Sequence, residues 1–339
     1  MIEYENLKKT NNLFLKKFNN PYKKFCKDGR YILSKNVFNF EKKFSSYLNG
    51  SFCTGVGNGL DALILSLESL KLVVGSEVIL PANTYYATIL AVLRAGLKPV
   101  LVEPNFYTCN IDYREILKKI TKKTRVVLVV HLYGKVCEMN EIQKICKENK
   151  LHLIEDCAQA HGARYKKKYA GTFGDFGCFS FYPTKNLGCL GDGGAVISKN
   201  IRNDRNIKML RNYGSIKRYK NEIVGFNSRL DEFQAAFLNI KLNYLNKINA
   251  HKRKLASTYN KFLSNSFIKP VVQKDYFDVY YVYNIRSKKR NALQKFLNRN
   301  KIITDIHCPL PPYKQNSIKH LFEGKKFPIS EEIHQTNLS

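Results

Sequence analysis

The stretch from Thr54 to Glu103, "TGVGNGLDALILSLESLKLVVGSEVILPANTYYATILAVLRAGLKPVLVE", alternates short β-branched runs with segments whose apolar residues recur at helical spacing. The runs 77–81 and 99–103 predict strands, and the segments 59–70 and 87–96 predict helices. Strands and helices that alternate over short connections form βαβ units with a parallel sheet. This stretch therefore predicts an α/β fold.

The same alternation extends in both directions along the chain. Further strands are predicted at 51–55, 125–132, 151–156, 177–181 and 194–198, and a further helix at 138–150. We therefore expect a mainly parallel, seven-stranded sheet with helices on both faces. In such sheets, ligands bind at the carboxyl ends of the strands.

The pattern changes after about residue 200. A long helical stretch at 229–259 is followed by a predicted strand at 278–287, a helix at 291–300 and a strand at 301–307, which together indicate a smaller α+β domain. The expected organisation is an N-terminal arm and helix (1–35), a large domain (36–245) and a small C-terminal domain (246–339).

Composition narrows the class of protein. The 339 residues include 57 Lys and Arg against 27 Asp and Glu, a net charge of +30, which favours acidic partners such as nucleic acid or a phosphorylated small molecule. The lysines lie in scattered short runs with no groove-reading motif, which favours incidental charge over nucleic-acid binding.

The cysteines and the N-terminus bear on location. Nine cysteines without a CxxC pair favour reduced thiols over disulfides or a zinc site, so no metal is expected. There is no signal-peptide pattern at the N-terminus, and no apolar run approaches the ~18 residues of a membrane span. The expectation is a soluble cytoplasmic protein without a membrane partner.

A glycine-rich turn, "TGVGNGLDAL" (54–63), follows the first predicted strand and precedes a helix. Bare amides at a helix N-terminus bind anions, so the turn suits a phosphate. Its G-x-G-x-G spacing and the Pro81 that ends the next strand disfavour a nicotinamide dinucleotide. A tight turn without a ligand is the alternative.

Other strand ends carry aromatic, acidic and basic residues. The tyrosine rings of "PANTYYAT" (81–88) could stack on a flat heterocycle, and packing in the core is the alternative. In "IEDCAQAHG" (154–162), Asp156 is a candidate carboxylate for a bound cation, and an ordinary helix N-cap is the alternative. Adjacent strand residues face opposite ways, so Glu155 and Asp156 cannot both face one ligand. In "FSFYPTKNLG" (179–188), Lys185 leaves an apolar strand toward this edge, where desolvation would make it a nucleophile toward an aldehyde, although lone lysines usually lie on the surface.

These motifs, with "VVHLYG", "LRNYGS" and "GFNSRLDEFQAAFL", resemble those of the DegT/DnrJ/StrS sugar-nucleotide aminotransferases, which are pyridoxal 5'-phosphate enzymes of the aspartate-aminotransferase fold, fold type I. The resemblance runs from about Tyr4 to the last residue. Within the family, the chain is most similar to enzymes that aminate the 3-keto position of dTDP-linked 3-keto-6-deoxyhexoses.

The resemblance implies a role for particular residues. Lys185 would bind the cofactor aldehyde covalently and later move the proton. The remaining cofactor contacts would be Asp156 at the pyridine nitrogen, Gln159 at the ring hydroxyl, Tyr85 on the ring, and Gly59, Leu60, Ser180 and a second subunit's Asn227 at the phosphate. Tyr182 and His307 would line the hexose pocket, and Arg229 is the best candidate for the nucleotide diphosphate; a packed His307 is the alternative.

The implied reaction is transamination from L-glutamate to a nucleotide-linked keto-deoxysugar, for surface polysaccharide biosynthesis, by a homodimer with shared active sites. A 4-keto sugar, and a catalytically weak cofactor-binding regulator, remain as alternatives. A sugar 3-dehydratase of this fold would have histidine in place of Lys185. Members of the family that the chain resembles normally continue beyond "PISEEIHQTNLS" (328–339), so the resemblance implies a truncated small domain.

Overall fold

A computed structural model describes residues 1–49 and 52–339. The predicted strand at 51–55 therefore lies outside the described residues at Ser51. The α-helices of the described residues are α1 Leu7–Asp28, α2 Lys35–Tyr47, α3 Gly59–Ser69, α4 Tyr86–Arg94, α5 Tyr113–Leu117, α6 Met139–Glu148, α7 Ile201–Leu210, α8 Glu232–Lys241, α9 Leu245–Phe262, α10 Arg290–Arg299 and α11 Pro328–Thr336. The strands are β1 Phe52–Val56, β2 Glu77–Pro81, β3 Lys98–Val102, β4 Thr124–Val130, β5 His152–Asp156, β6 Arg164–Tyr165, β7 Lys168–Tyr169, β8 Phe176–Ser180, β9 Gly194–Ser198, β10 Ser215–Lys217, β11 Lys220–Asn221, β12 Tyr276–Phe277, β13 Ile285–Arg286 and β14 Asn337–Leu338.

A seven-stranded sheet in the order β1-β9-β8-β5-β4-β2-β3 organises the fold. The pairs β2–β3, β2–β4, β4–β5 and β5–β8 are parallel, whereas β9 runs antiparallel to both β1 and β8. The predicted mainly parallel α/β sheet is thus confirmed. Because only β9 is reversed, the carboxyl ends of β1, β2, β4, β5 and β8 meet at one edge.

Both faces of the sheet are covered, which explains the continuous apolar runs of its strands. Successive residues of β4 alternate between two core clusters, with Val127 and Val129 in one and Val126 and Leu128 in the other. All four are fully buried, and each contributes about 1.5–3 kcal/mol of hydrophobic free energy. The sheet is therefore a rigid floor for whatever lies at its edge.

The C-terminal part differs from the sequence prediction. The helical stretch predicted at 229–259 is two helices, α8 and α9, separated by a 3₁₀ turn at Leu242–Tyr244. Of the strand predicted at 278–287, only β13 forms, and it pairs with β14. The strand predicted at 301–307 is absent from the described residues, because the segment pairs only at isolated points: Ile302 bridges to Ile2, and Asp305 exchanges backbone hydrogen bonds with Ser339.

The N-terminal segment is held at two places. Ile2 forms backbone hydrogen bonds with Lys301 and Ile303, so the chain start lies against the C-terminal part. Helix α1 then buries Phe14 and Phe18 against Phe237 of α8. Neither α1 nor any other helix among the described residues combines the length and the apolar character needed to cross a membrane.

Candidate active site

The lysine predicted to be catalytic lies just beyond the carboxyl end of β8. Its amine is 4.1 Å from the centre of the Tyr281 ring, and the Tyr281 hydroxyl is 3.1 Å from the hydroxyl of Thr184. Burial lowers the pKa of the Lys185 amine to about 8, an effect that the carboxylates of Asp156 and Glu5 partly offset. A substantial fraction of this amine is therefore neutral near neutral pH.

Asp156, the last residue of β5, is fixed by two hydrogen bonds. Its Oδ2 accepts from the Thr88 hydroxyl at 2.9 Å, and its Oδ1 accepts from the backbone N–H of Ala158 at 3.1 Å. Burial raises the pKa of the carboxyl, while these two bonds and the charge of Lys185 oppose the increase. The result is a carboxylate held rigidly in a site of low polarity.

The neighbouring Glu155 points to the other face of the sheet, as strand alternation requires. Its Oε2 lies 2.9 Å from Nε2 of His131, and its oxygens accept from the N–H groups of Gly171, Phe173 and Gly174. These contacts fold the 171–174 loop. Glu155 therefore has a structural role, and of the two carboxylates only Asp156 is available to a ligand at the carboxyl edge of the sheet.

The glycine-rich turn and the end of β8 approach each other closely. Asn58 caps α3 by accepting from the N–H of Asp61 at 2.8 Å, and a Cβ on Gly59 would lie 2.6 Å from Cβ of Ser180. The first turn of α3, with Gly59 and Leu60, thus lies directly against Ser180, because Gly59 has no side chain to keep them apart. This arrangement suits a phosphate.

Gln159 is tied to the predicted sugar pocket through Tyr133. The backbone N–H of Tyr133 donates to Oε1 of Gln159 at 2.6 Å, and the Tyr133 hydroxyl donates to the carbonyl of His307 at 2.9 Å. The His307 ring lies 5.6 Å from the ring of Tyr4, and burial lowers the pKa of the His307 imidazole. One tyrosine therefore connects a predicted cofactor contact to a predicted substrate contact.

The other residues predicted to contact the cofactor or the substrate lie nearer the protein surface than Lys185 and Asp156. Tyr85 precedes α4 with 59% of its surface exposed, and Tyr182 is 52% exposed. Asn227 is exposed and bridges through its backbone to Asn212, whose side-chain oxygen accepts from Arg229 at 2.9 Å. The rings at the edge are thus available for contact with a ligand.

Three residues of this edge went unrecognised in the sequence. Thr88 orients Asp156, Tyr133 supports Gln159, and Tyr281 faces the lysine amine. Thr88 stood within the quoted "PANTYYAT", but nothing marked it apart from its neighbours. Tyr281 lies in "DVYYVYN", where no sequence signal separates it from the adjacent tyrosines.

The residues present fit pyridoxal phosphate. The helix start at Gly59, which packs directly against Ser180, suits the phosphate of this cofactor. The buried Asp156 carboxylate suits its ring nitrogen, and Lys185, whose pKa is lowered, suits its aldehyde. Together with the α/β sheet whose strands end here, they define a pyridoxal-phosphate-dependent enzyme.

The chain belongs to the DegT/DnrJ/EryC1/StrS aminotransferase family, whose model matches residues 15–339. It is an aminotransferase and its cofactor is pyridoxal 5'-phosphate. The sequence-based assignment of family, enzyme class and cofactor is thus confirmed.

Three known proteins show how close the likeness is. The dTDP-3-amino-3,6-dideoxy-alpha-D-galactopyranose transaminase of Aneurinibacillus thermoaerophilus is 46% identical over 100% of this chain and 93% of its own length. The crystal structure of S. venezuelae DesV in complex with a ketimine intermediate has a TM-score of 0.97 at 37% identity and covers 100% of this chain and 92% of its own. The crystal structure of NtdA from Bacillus subtilis, with bound cofactor PMP, has a TM-score of 0.90 at 30% identity and covers 96% of this chain and 77% of its own.

Proposed function

We propose that this aminotransferase moves the amino group of L-glutamate to C3 of a dTDP-linked 3-keto-6-deoxyhexose. The observation that carries the proposal is the 46% identity, along the whole chain, to a relative named as a dTDP-3-amino-3,6-dideoxygalactose transaminase. The product is a 3-amino sugar nucleotide, a precursor for surface polysaccharides such as the O-antigen of lipopolysaccharide.

Each residue at the edge takes one task in this proposal. Lys185 is the catalytic residue, while Asp156 and Gln159 contact the cofactor ring, Tyr85 stacks on it, and the Gly59 and Leu60 amides with the Ser180 hydroxyl hold the phosphate. Tyr182 and His307 contact the hexose, and Arg229 contacts the nucleotide diphosphate. Pyridoxal phosphate, when bound, supplies an aldehyde and an electron-accepting ring.

Proton movement is the task of the lysine amine. With a pKa of about 8, the Lys185 amine is present in both its neutral and its charged form near neutral pH. It can therefore take up a proton from the substrate carbon that bears the nitrogen and later give the proton back. The Asp156 carboxylate would hold the ring nitrogen of the cofactor, and it would do so in a fixed orientation because Thr88 and Ala158 both donate hydrogen bonds to it. The Tyr281 ring lies beside the Lys185 amine and limits the access of water to it.

A panel of keto-sugar nucleotides tests the substrate. The purified holoenzyme is incubated with glutamate and either a dTDP-3-keto-6-deoxyhexose or a 4-keto sugar nucleotide, 2-oxoglutarate is measured, and the product is identified by NMR. We expect turnover and a C3–N bond with the 3-keto sugar. Turnover with the 4-keto sugar alone would place the enzyme among the 4-aminotransferases. Absence of 2-oxoglutarate with every sugar would favour a cofactor-binding regulator.

We further propose that the active enzyme is a homodimer in which Asn227 reaches the phosphate of the other subunit's site. The segment before Asn227 carries apolar side chains in solvent, with Tyr219 87% and Val224 96% exposed. Exposed apolar groups of this kind mark interaction surfaces. A second copy of this chain, related by a two-fold axis, would cover them.

Mixed dimers test the shared site. Lys185→Ala and Asn227→Ala are each expected to be nearly inactive, but dimers formed from one subunit of each contain one intact site. Random reassociation makes half of the dimers mixed, so about a quarter of the wild-type activity should return. If Asn227 serves its own subunit, mixing restores nothing.

The domain organisation and the location complete the proposal. We assign residues 1–35 to an arm and helix, 36–245 to a large cofactor-binding domain and 246–339 to a small domain, and we place the enzyme in the cytoplasm, where its nucleotide-sugar and glutamate substrates are made. Limited proteolysis that cuts near residue 245 before it cuts within the sheet would support the division.

A further inference from the structure

A cavity lies between the segment Tyr107–Cys109 and the C-terminal part of the chain. Its volume is about 40 Å³, enough for a few water molecules or one small ion. Tyr133 forms one wall, and Asn284 and Arg286 form another. The cavity therefore touches the tyrosine that supports Gln159 and the His307 carbonyl.

Arg286 is the unusual residue of this cavity. Only 3% of its surface is exposed, and within the described part of the chain neither Nη1 nor Nη2 has a hydrogen-bond partner. Its guanidinium lies 4.0 Å from the centre of the Phe106 ring, and its backbone N–H and carbonyl form hydrogen bonds with the backbone of Ile268. A guanidinium is always charged, so a buried one with free donors is costly unless an acceptor is bound.

The other charged groups that line the cavity do not neutralise Arg286. Lys135 and Asp278 pair with each other at 3.2 Å, which uses Oδ2 of the aspartate and leaves its Oδ1 without a partner. The Lys269 amine donates elsewhere, to the carbonyls of Asn260 and Leu263 and to the side chain of Asn265. With two cations paired or turned away, the cavity keeps the net positive charge of Arg286.

We propose that this cavity binds one small monovalent anion, chloride or a carboxylate of formate size, through Nη1 and Nη2 of Arg286. The planar fork of donors suits such an acceptor, and the Phe106 ring covers one face of the guanidinium, which leaves the in-plane donors Nη1 and Nη2 to the anion. The anion joins the 107–109 segment to the strand that carries Arg286. It thereby stabilises the cavity wall formed by Tyr133, the residue that also bonds to Gln159 and to the His307 carbonyl.

Thermal unfolding of the holoenzyme tests the proposal in solution. Melting temperatures are compared in sodium chloride, sodium formate and sodium gluconate at equal ionic strength, since gluconate is too large for the cavity. We expect a saturable rise of a few degrees in chloride or formate over gluconate at concentrations far above Kd, and the two small anions distinguish a halide site from a carboxylate site. Equal melting temperatures in all three salts would overturn the proposal.

Variants assign the effect to the residue. Arg286→Met should abolish the difference between salts, whereas the matched control Arg299→Met, which removes an exposed arginine of α10, should retain it. Should Arg286→Met fail to fold, crystals of the wild-type enzyme soaked in bromide decide the matter. An anomalous peak within hydrogen-bond distance of Nη1 and Nη2 supports an anion site, and water alone in the cavity refutes it.

Discussion

The amine of Lys185 in the enzyme without cofactor should titrate near pH 8, far below an ordinary lysine. At pH 7.5, a pKa of about 8 leaves about a quarter of the amine neutral, whereas the ordinary value of 10.5 would leave about one part in a thousand. The neutral fraction is thus raised by more than two hundredfold. The cause is burial, since the nearby carboxylates act in the opposite direction.

Competitive labelling measures this pKa directly. The apoenzyme is treated with a trace of acetic anhydride at a series of pH values from 6 to 11, together with a soluble lysine analogue as internal standard, and the peptide that contains Lys185 is quantified by mass spectrometry. Restricted access of the reagent to the amine lowers the labelling rate by the same factor at every pH, so the midpoint of the curve still reports the pKa. We expect reactivity to rise and level off around pH 8, while that of the standard still rises above pH 10.

A charge variant checks the cause of the shift. Because the Asp156 carboxylate raises the pKa of Lys185, Asp156→Asn should move the midpoint further down. Asp112→Asn removes a carboxylate that pairs instead with Arg114 and should leave the midpoint in place. A Lys185 reactivity that climbs without a plateau to pH 10, like the standard, would refute the reasoning.

Three further predictions concern packing and charge around the site. Gly59→Ala forces a Cβ to within 2.6 Å of Ser180, so we expect weaker binding of pyridoxal phosphate and a loss of about 1–3 kcal/mol in unfolding free energy, measured by cofactor titration and urea unfolding. Tyr281→Leu keeps the burial but removes the ring beside the Lys185 amine. Because this contact is worth about 0.5–2 kcal/mol, the labelling midpoint should fall by about 0.4–1.5 pH units. Lys241 is buried and its pKa is lowered to about 8, so its charge costs stability at pH 7 and this cost disappears as the pH rises from 8 toward 10.5. Wild type should therefore gain stability relative to Lys241→Met over that interval, and a difference that is constant with pH would contradict this.

The elements of the large sheet could be predicted from the sequence because their signals are local. The predicted strand at 77–81 matches β2, and the predicted helix at 59–70 differs from α3 by one residue. Apolar periodicity and glycine punctuation, which need only neighbouring residues, determine such elements. The strand predicted at 301–307 was wrong because a strand also needs a continuous partner. Within the described residues this segment pairs only at isolated points, with Ile2 through Lys301 and Ile303 and with Ser339 through Asp305.

The sequence alone determined the motifs that identify the family, the set of strand-end residues and the likeness that assigns Lys185 and Asp156 to the cofactor. The tertiary structure decided what surrounds them, because contacts between distant segments leave no local trace. Thr88 bonds to Asp156 from 68 residues away, and the Tyr281 ring reaches Lys185 only because the C-terminal part folds back over the sheet edge. The unpaired charge of Arg286 appears only when its partners are counted in three dimensions, since burial and hydrogen bonding are properties of the folded chain.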